Sequence, residues 1–180
     1  KPPANTWTAI RTMFSVFLVR TYGWGVQMNS SKKFVGHCLC GEVAVSVDGQ
    51  HDAQPGACHC RMCQRWSGGV FLAFTAAAEA VTLEGPVRRF QSTSFAERAF
   101  CGTCGTHLWM RNTDDHAAEY ELMPGLFDGA HDWPLRSEIY TDKAMASVCL
   151  EGDHPRKTQA EFEEQTGISA DTHSTQLQQI

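Results

Sequence analysis

Seven of the eight cysteines lie in three tight clusters, and this spacing limits the possible folds more than any other feature of the sequence. The clusters are Cys38-Leu39-Cys40, Cys58-His59-Cys60-Arg61-Met62-Cys63 and Cys101-Gly102-Thr103-Cys104. Cysteines separated by so few residues bring their sulfurs onto one metal ion easily, whereas a disulfide between them needs strained geometry. The pattern therefore predicts metal binding rather than a disulfide scaffold, and metal-bound thiolates imply a reducing compartment.

The clustered cysteines divide into two pairs and a triplet. Zinc in proteins prefers four ligands in a tetrahedron, and the two pairs can together make one closed four-sulfur site. Such a site would tie an early strand to a later hairpin. The triplet offers only three sulfurs, which leaves an open position of the kind that distinguishes catalytic from structural zinc.

Two other arrangements of the triplet stay open at this point. His59 could complete the site, although its place between two ligands predicts a ring that points away from the metal. Alternatively, Cys149 could be recruited as a ligand. Its apolar neighbours Val148 and Leu150 instead predict a buried, unreactive thiol.

Short alternating segments between turns predict an all-β fold. Residues 42–47 alternate polar or small side chains with valine, and Asp48-Gly49 then supplies a turn. No long helical period occurs in the cysteine-bearing region. Residues 29–150 carry ten basic side chains against fourteen acidic ones, so neither a nucleic-acid surface nor a membrane-binding basic patch is expected.

The two ends of the chain differ in composition from this region. Residues 1–28 contain an apolar stretch at 13–19 that is too short to span a membrane, and Met28 opens a segment typical of a cytosolic start. We therefore expect 1–28 to be upstream or expression-derived sequence, and the domain to occupy 29–150. Residues 151–180 carry six acids against two basic residues and predict a polar tail that buries little, with a short solvated helix near 159–165.

The residues around the cysteines resemble a known family. The three motifs are Gly36-His37-Cys38-Leu39-Cys40-Gly41, the run CHCRMCQRWSGG that starts at Cys58, and the run RAFCGTCGTHL that starts at Arg98. In type, order and approximate spacing they are similar to the glutathione-dependent formaldehyde-activating enzymes, also called the GFA or centromere-protein-V-like domain family. The resemblance extends over residues 34–141, roughly two thirds of the chain.

This resemblance implies an Mss4-like β-tent with two zinc sites and short irregular connections. It assigns a structural zinc to Cys38, Cys40, Cys101 and Cys104, and a catalytic zinc to Cys58, Cys60 and Cys63. Members are given a carbon–sulfur lyase activity that adds glutathione to formaldehyde, forming S-hydroxymethylglutathione. A cytoplasmic enzyme that uses a small thiol such as glutathione is therefore expected.

The sequence departs from the family pattern at positions that concern the thiol pocket rather than the metal ligands. Gln64 stands where a second basic residue often follows the triplet, Glu138 stands where histidine is common, and residues 144–146 replace a Pro-Trp neighbourhood. Arg65 is the nearest candidate to donate a hydrogen bond to an oxyanion on the aldehyde. The alternative function is a non-catalytic zinc-binding module that mediates protein interaction.

Overall fold

A computed structural model describes residues 33–113 and 118–169. The strands in these ranges are β1 (Phe34–His37), β2 (Ala44–Val47), β3 (Gly56–Cys58), β4 (Phe71–Ala76), β5 (Val81–Glu84), β6 (Val87–Gln91), β7 (Ala96–Cys101), β8 (His107–Asn112), β9 (Tyr120–Leu122), β10 (Ser137–Ile139) and β11 (Arg156–Lys157). The helices are α1 (Arg61–Ser67) and α2 (Gln159–Thr166), and single 3-10 turns cover Ala78–Ala80, Pro124–Leu126, Asp128–Ala130 and Thr141–Lys143. The predicted all-β class is confirmed, while the expectation for residues 1–28 lies outside the described residues.

The strands form two sheets. A small antiparallel sheet has the order β1-β2-β5. The larger sheet has the order β11-β10-β3-β4-β9-β8-β7-β6, and it is antiparallel except where β10 runs parallel to β3 and to β11. This parallel pairing places C-terminal residues beside the strand that ends at Cys58. No helix of the described residues is long and apolar enough to cross a bilayer.

The main core joins residues of both sheets. Val45 and Val47 of β2 are fully buried, as the alternation of valines predicts. They belong to one cluster with Phe74, Trp109 and Phe127. Burial of side chains of this size stabilises a fold by about 1.5–3 kcal/mol each, so the valine pattern of β2 fixes which face of the small sheet turns inward.

Helix α1 follows directly on Cys60, and the sequence showed no helical period that would predict it. It is seven residues long. The Cys60 sulfur accepts a hydrogen bond from the Cys63 backbone N–H and so caps the first turn, while Gly68 ends the helix with a φ of 76°. The start of α1 therefore fixes the relative positions of two cysteines of the triplet.

Residues 151–169 pack on the domain, so the predicted polar tail is wrong for this part of the segment. β11 extends the edge of the large sheet by pairing with β10. Helix α2 lies where a helix was predicted and starts with a capping box between Thr158 and Glu161. Its one large apolar side chain, Phe162, is 6% exposed and packs against Tyr140, with 5.5 Å between ring centres. Because Phe162 is one buried ring among polar residues, the segment has no hydrophobic periodicity. Its composition therefore predicted a polar tail.

Phe162→Ala will destabilise the domain by about 3–4 kcal/mol, because loss of the buried ring leaves a cavity against Tyr140. Met145→Ala is the matched control: that side chain is exposed, so the free energy of unfolding should change by no more than about 0.5 kcal/mol. Urea unfolding followed by tryptophan fluorescence measures both values. Equally small effects of the two substitutions would show that α2 does not pack stably on the domain.

Candidate metal centres

The first candidate metal centre joins two loops that are far apart in the chain. It contains Cys38 and Cys40, which follow β1, and Cys101 and Cys104, at the end of β7 and just beyond it. All four sulfurs lie within 4.8 Å of one another, and Cys40 Sγ is 3.4 Å from Cys38 Sγ and 3.8 Å from Cys101 Sγ. A tetrahedral zinc ion with sulfurs at about 2.3 Å holds them about 3.8 Å apart. The separations therefore fit one closed four-thiolate site.

Backbone N–H groups point at these sulfurs, an arrangement that is also typical of thiolates bound to metal ions. The donors are the N–H groups of Val43 (3.2 Å from Cys38 Sγ) and of Thr103 and Cys104 (3.4 and 3.5 Å from Cys101 Sγ). Gly41 and Gly105 close the two turns with φ values of 79° and 76°, a conformation that favours glycine. Donors of this kind orient a sulfur and stabilise its negative charge. The pair-plus-pair partition predicted from the sequence thus has the geometry of a metal site.

The second candidate centre lies where β3 leads into α1. Cys58 ends β3, Cys60 caps α1, and Cys63 lies in the first turn of the helix. The three sulfurs lie within 4.8 Å of one another and all three residues are buried. In the described ranges no further ligand atom of Cys, His, Asp or Glu joins this group. These residues can hold a metal ion with three sulfurs and leave one tetrahedral position for another ligand.

Of the three thiols in the triplet, Cys63 is the one whose pKa lies below its usual value. Hydrogen bonds from Cys58 and Cys60, together with the charge and the N–H of Arg98, hold the pKa of the Cys63 thiol well below its usual value. The pKa of Cys58 is raised, because its proton is shared with Cys60 and Cys63 and because it is buried. One sulfur is therefore poised as a thiolate, which is the form that binds metal ions.

Arg98 is a charged residue at this centre that the sequence interpretation missed. It is 3% exposed, and its Nη2 lies 3.6 Å from Cys63 Sγ. Its guanidinium also lies over the rings of Trp66 and Phe71, at 5.7 and 5.3 Å from the ring centres. The alternation of β7 was an available signal, since Arg98 shares a buried face with Ala96.

Arg65, the predicted donor to an oxyanion, is an exposed residue of α1. Its neighbour Trp66 turns the other way and stacks on His107, with 4.6 Å between ring centres. Trp66 and Phe71 both pack in the cluster that surrounds the triplet. The assignment of Arg65 stays a prediction.

His59 does not join the sulfurs; it binds Glu138 instead. Its Nε2 lies 2.9 Å from Glu138 Oε2, while Glu138 Oε1 lies 2.5 Å from His154 Nε2 and accepts a hydrogen bond from Arg156 Nε at 2.9 Å. Burial disfavours the charge of Glu138, but the hydrogen bonds from the two histidines and the charge of Arg156 prevail and lower its pKa. Glu138 thus connects the loop between Cys58 and Cys60 to the C-terminal segment.

Cys149 belongs to neither sulfur group and is exposed. The prediction of a buried thiol is wrong because the apolar neighbours Val148 and Leu150 are half-buried while the side chain between them faces the solvent. Cys149 is therefore a suitable control position for experiments on the two clusters.

Glu138→Gln will destabilise the domain by about 2–4 kcal/mol, because it leaves the buried His59 and His154 and the half-exposed Arg156 without a carboxylate. The pKa of Glu138 is lower in the folded than in the unfolded chain. Its carboxylate therefore stabilises the fold fully above the unfolded pKa of about 4.3, and this contribution is lost as the pH falls through the lower folded pKa.

Urea titrations at pH 7 and below about pH 4 measure this difference. The gap in unfolding free energy between the wild type and Glu138→Gln should shrink at the lower pH. Glu151→Gln, an exposed carboxylate of the same segment, is the control and should show a negligible gap at both values. A gap for Glu138→Gln that does not change with pH would contradict the assignment of a charged carboxylate.

The chain is similar to known proteins in sequence and, less closely, in structure. A family model described as glutathione-dependent formaldehyde-activating enzyme matches residues 33–143, a range that includes both cysteine groups. A Schizosaccharomyces pombe protein named as an uncharacterized lyase is 29% identical over 111 residues, which is 61% of this chain and 80% of the relative. The crystal structure of a Rhodobacter sphaeroides protein is 22% identical, with a TM-score of 0.43 over 69% of this chain and 99% of that one.

Proposed function

The chain belongs to the family of glutathione-dependent formaldehyde-activating enzymes, and on that premise we propose that it is a zinc-dependent carbon–sulfur lyase. The proposed substrate is the adduct of a small thiol, such as glutathione, with formaldehyde. The lyase name of the S. pombe relative supports this class of reaction. The observation that carries the proposal is the triplet of Cys58, Cys60 and Cys63, whose three sulfurs leave a fourth position free.

Two zinc ions per chain are part of the proposal, one for each cysteine group. The four-cysteine group would hold a structural ion, because its sulfurs occupy all four positions that zinc prefers. The triplet would hold the ion at which the thiol reacts. Bound there, zinc would act as a Lewis acid that stabilises a thiol in its thiolate form near neutral pH.

The proposed reaction forms one carbon–sulfur bond and needs no oxidant. The thiol gives up its proton, its sulfur bonds to the carbonyl carbon of formaldehyde, and the electron pair of the C=O π bond moves onto the oxygen. That oxygen then takes up a proton, which leaves an S-hydroxymethyl thioether. In the reverse direction the hydroxyl loses its proton and the same carbon–sulfur bond breaks. A donor near the oxygen lowers the barrier in both directions because negative charge develops there.

Exchange NMR between free glutathione and its formaldehyde adduct tests this activity at equilibrium, where a lyase must accelerate both directions. The metal-loaded protein should increase the exchange rate over the uncatalysed rate. Cys149→Ser is the matched control, since it removes an exposed thiol that lies outside both clusters. An exchange rate that stays at the uncatalysed value for glutathione and for a panel of small thiols would contradict the proposal.

We place the protein in the cytoplasm, because thiols destined for metal binding must stay reduced. A small thiol is the proposed partner, and nucleic acid is not, since acidic residues outnumber basic ones in the domain.

A second candidate function is a zinc module that binds another protein. It is favoured by Leu39, which is 89% exposed at the tip of the first cysteine loop and lines a shallow depression with Met123 and Leu126.

A further inference from the structure

Arg98 is the one buried arginine or lysine in the described part of the chain. None of the ion pairs between described residues includes it. A buried cation without a negative partner is costly, and the negative group in contact with Arg98 is the sulfur of Cys63, 3.6 Å from Nη2. Three thiolates around a divalent ion carry a net charge of about −1. The guanidinium would therefore balance the charge of the triplet once it holds a divalent metal ion.

Two N–H donors at this place lack an acceptor. Arg98 Nη1 and Trp66 Nε1 are both buried, and neither forms a hydrogen bond with a described residue. They belong to neighbouring side chains, because the guanidinium carbon of Arg98 lies 5.7 Å from the centre of the Trp66 ring. Buried donors in folded proteins are nearly always paired. Two unpaired donors, one of them on the guanidinium that contacts Cys63, indicate that a ligand supplies an acceptor here.

We propose that Arg98 is a catalytic residue that binds the oxygen of the thiol-borne substrate, with Trp66 as a second donor. This inference rests on the proposed lyase function and identifies a donor that the reaction needs. Nη2 stays on Cys63 and fixes the guanidinium, so Nη1 is left to donate to the oxygen on the carbon next to the substrate sulfur. The planar guanidinium of arginine suits two separate acceptors because its N–H groups point in fixed directions.

The ligand class that fits is a thiol or thioether that carries an oxygen acceptor close to its sulfur. The formaldehyde adduct has this arrangement, and its oxygen is negative while the carbon–sulfur bond forms or breaks. Mercaptoacetate is a stable probe with a carboxylate near the thiol, and ethanethiol is a probe of similar size without oxygen. A charge-assisted hydrogen bond should favour mercaptoacetate by about tenfold to a hundredfold.

Cobalt-loaded protein allows both affinities to be measured from the sulfur-to-cobalt absorption. We expect the ratio of the two Kd values to fall to near one in Arg98→Met, and to fall severalfold in Trp66→Phe, which keeps the ring but loses the N–H. Arg98→Lys keeps the charge without the fork and should recover only part of the preference. Arg61→Met removes an exposed arginine of α1 and should leave the ratio unchanged. Cobalt content per chain shows whether each variant keeps its metal sites.

The outcomes separate this inference from the proposed function. If neither thiol alters the cobalt spectrum of the wild type, the lyase proposal fails, and the inference fails with it. If thiols bind but Arg98→Met keeps the wild-type ratio, only the role of Arg98 is wrong. A ratio that falls in Arg65→Met and not in Arg98→Met would assign the donor to Arg65, as the sequence first predicted. Full preference in Arg98→Lys would also overturn the inference, since a positive charge alone would then suffice.

Discussion

Cys101→Ser will leave the chain without a stable fold. Cys101 Sγ lies 3.8 Å from Cys40 Sγ and accepts two backbone N–H groups, so its loss opens a site that ties β1 to the turn after β7. A structural zinc contributes about 10–16 kcal/mol to folding in small zinc domains. Domains of this size are stable by only about 5–15 kcal/mol in total. If the four-cysteine site holds the proposed zinc ion, loss of that ion would therefore remove as much free energy as the whole fold has available.

Circular dichroism and thermal melting of purified Cys101→Ser measure this result, and the expected outcome is precipitation or the absence of a cooperative transition. Cys149→Ser is the matched control, since the same chemical change at an exposed thiol outside the clusters should leave the melting temperature within a few degrees of the wild type. A Cys101→Ser protein that melts cooperatively near the wild-type temperature would show that the four-cysteine site does not hold the domain together.

Cys60→Ser will give a folded protein that has lost its activity. Cys60 caps α1, and serine is itself a favourable N-cap residue, so the helix and the backbone around it should persist. The triplet falls to two sulfurs, which is too few to hold an ion firmly. If the metal stabilises the transition state by several kcal/mol, its loss lowers kcat/KM by at least about a thousandfold.

The measurement combines exchange NMR with metal analysis and melting of the same preparation. We expect Cys60→Ser to retain one zinc per chain, a melting temperature near that of the wild type, and an exchange rate at the uncatalysed value. If Cys60→Ser unfolds as completely as Cys101→Ser, the triplet is a structural site as well. If it keeps full activity, the reaction does not take place at the triplet.

Much of this arrangement could be predicted from the sequence, because cysteine spacing encodes metal geometry locally. The spacing of the cysteines indicated two pairs and a triplet, the family resemblance assigned them to two sites, and the structure places these same sulfurs together. The strands of the small sheet were equally readable, since β2 buries alternate valines. In both cases neighbouring residues carry the signal.

The parts that escaped prediction depend on partners from distant segments. Arg98 contacts Cys63, a residue 35 positions away in the chain, and its place on the same face of β7 as Ala96 was the one local sign of burial. Glu138 was interpreted as a change in the thiol pocket, whereas its partners His154 and Arg156 lie in a segment that composition assigned to a tail. Gln64, another departure from the family pattern, donates to the backbone carbonyls of His59 and Lys143. Gln64 and Glu138, two of the residues that differ from the family pattern, thus support the loop of the triplet.

The most direct test of the central proposal is a titration of the cobalt-loaded protein with glutathione, followed by sulfur-to-cobalt charge-transfer absorption. Cys58, Cys60 and Cys63 supply three sulfurs, and a soft sulfur donor is preferred over water at the fourth position of such a site. We therefore expect glutathione to shift and intensify the absorption of the wild type and to leave Cys60→Ser unaffected. A wild-type spectrum that does not respond to glutathione or to any other small thiol would contradict the open catalytic site and favour the partner-binding module.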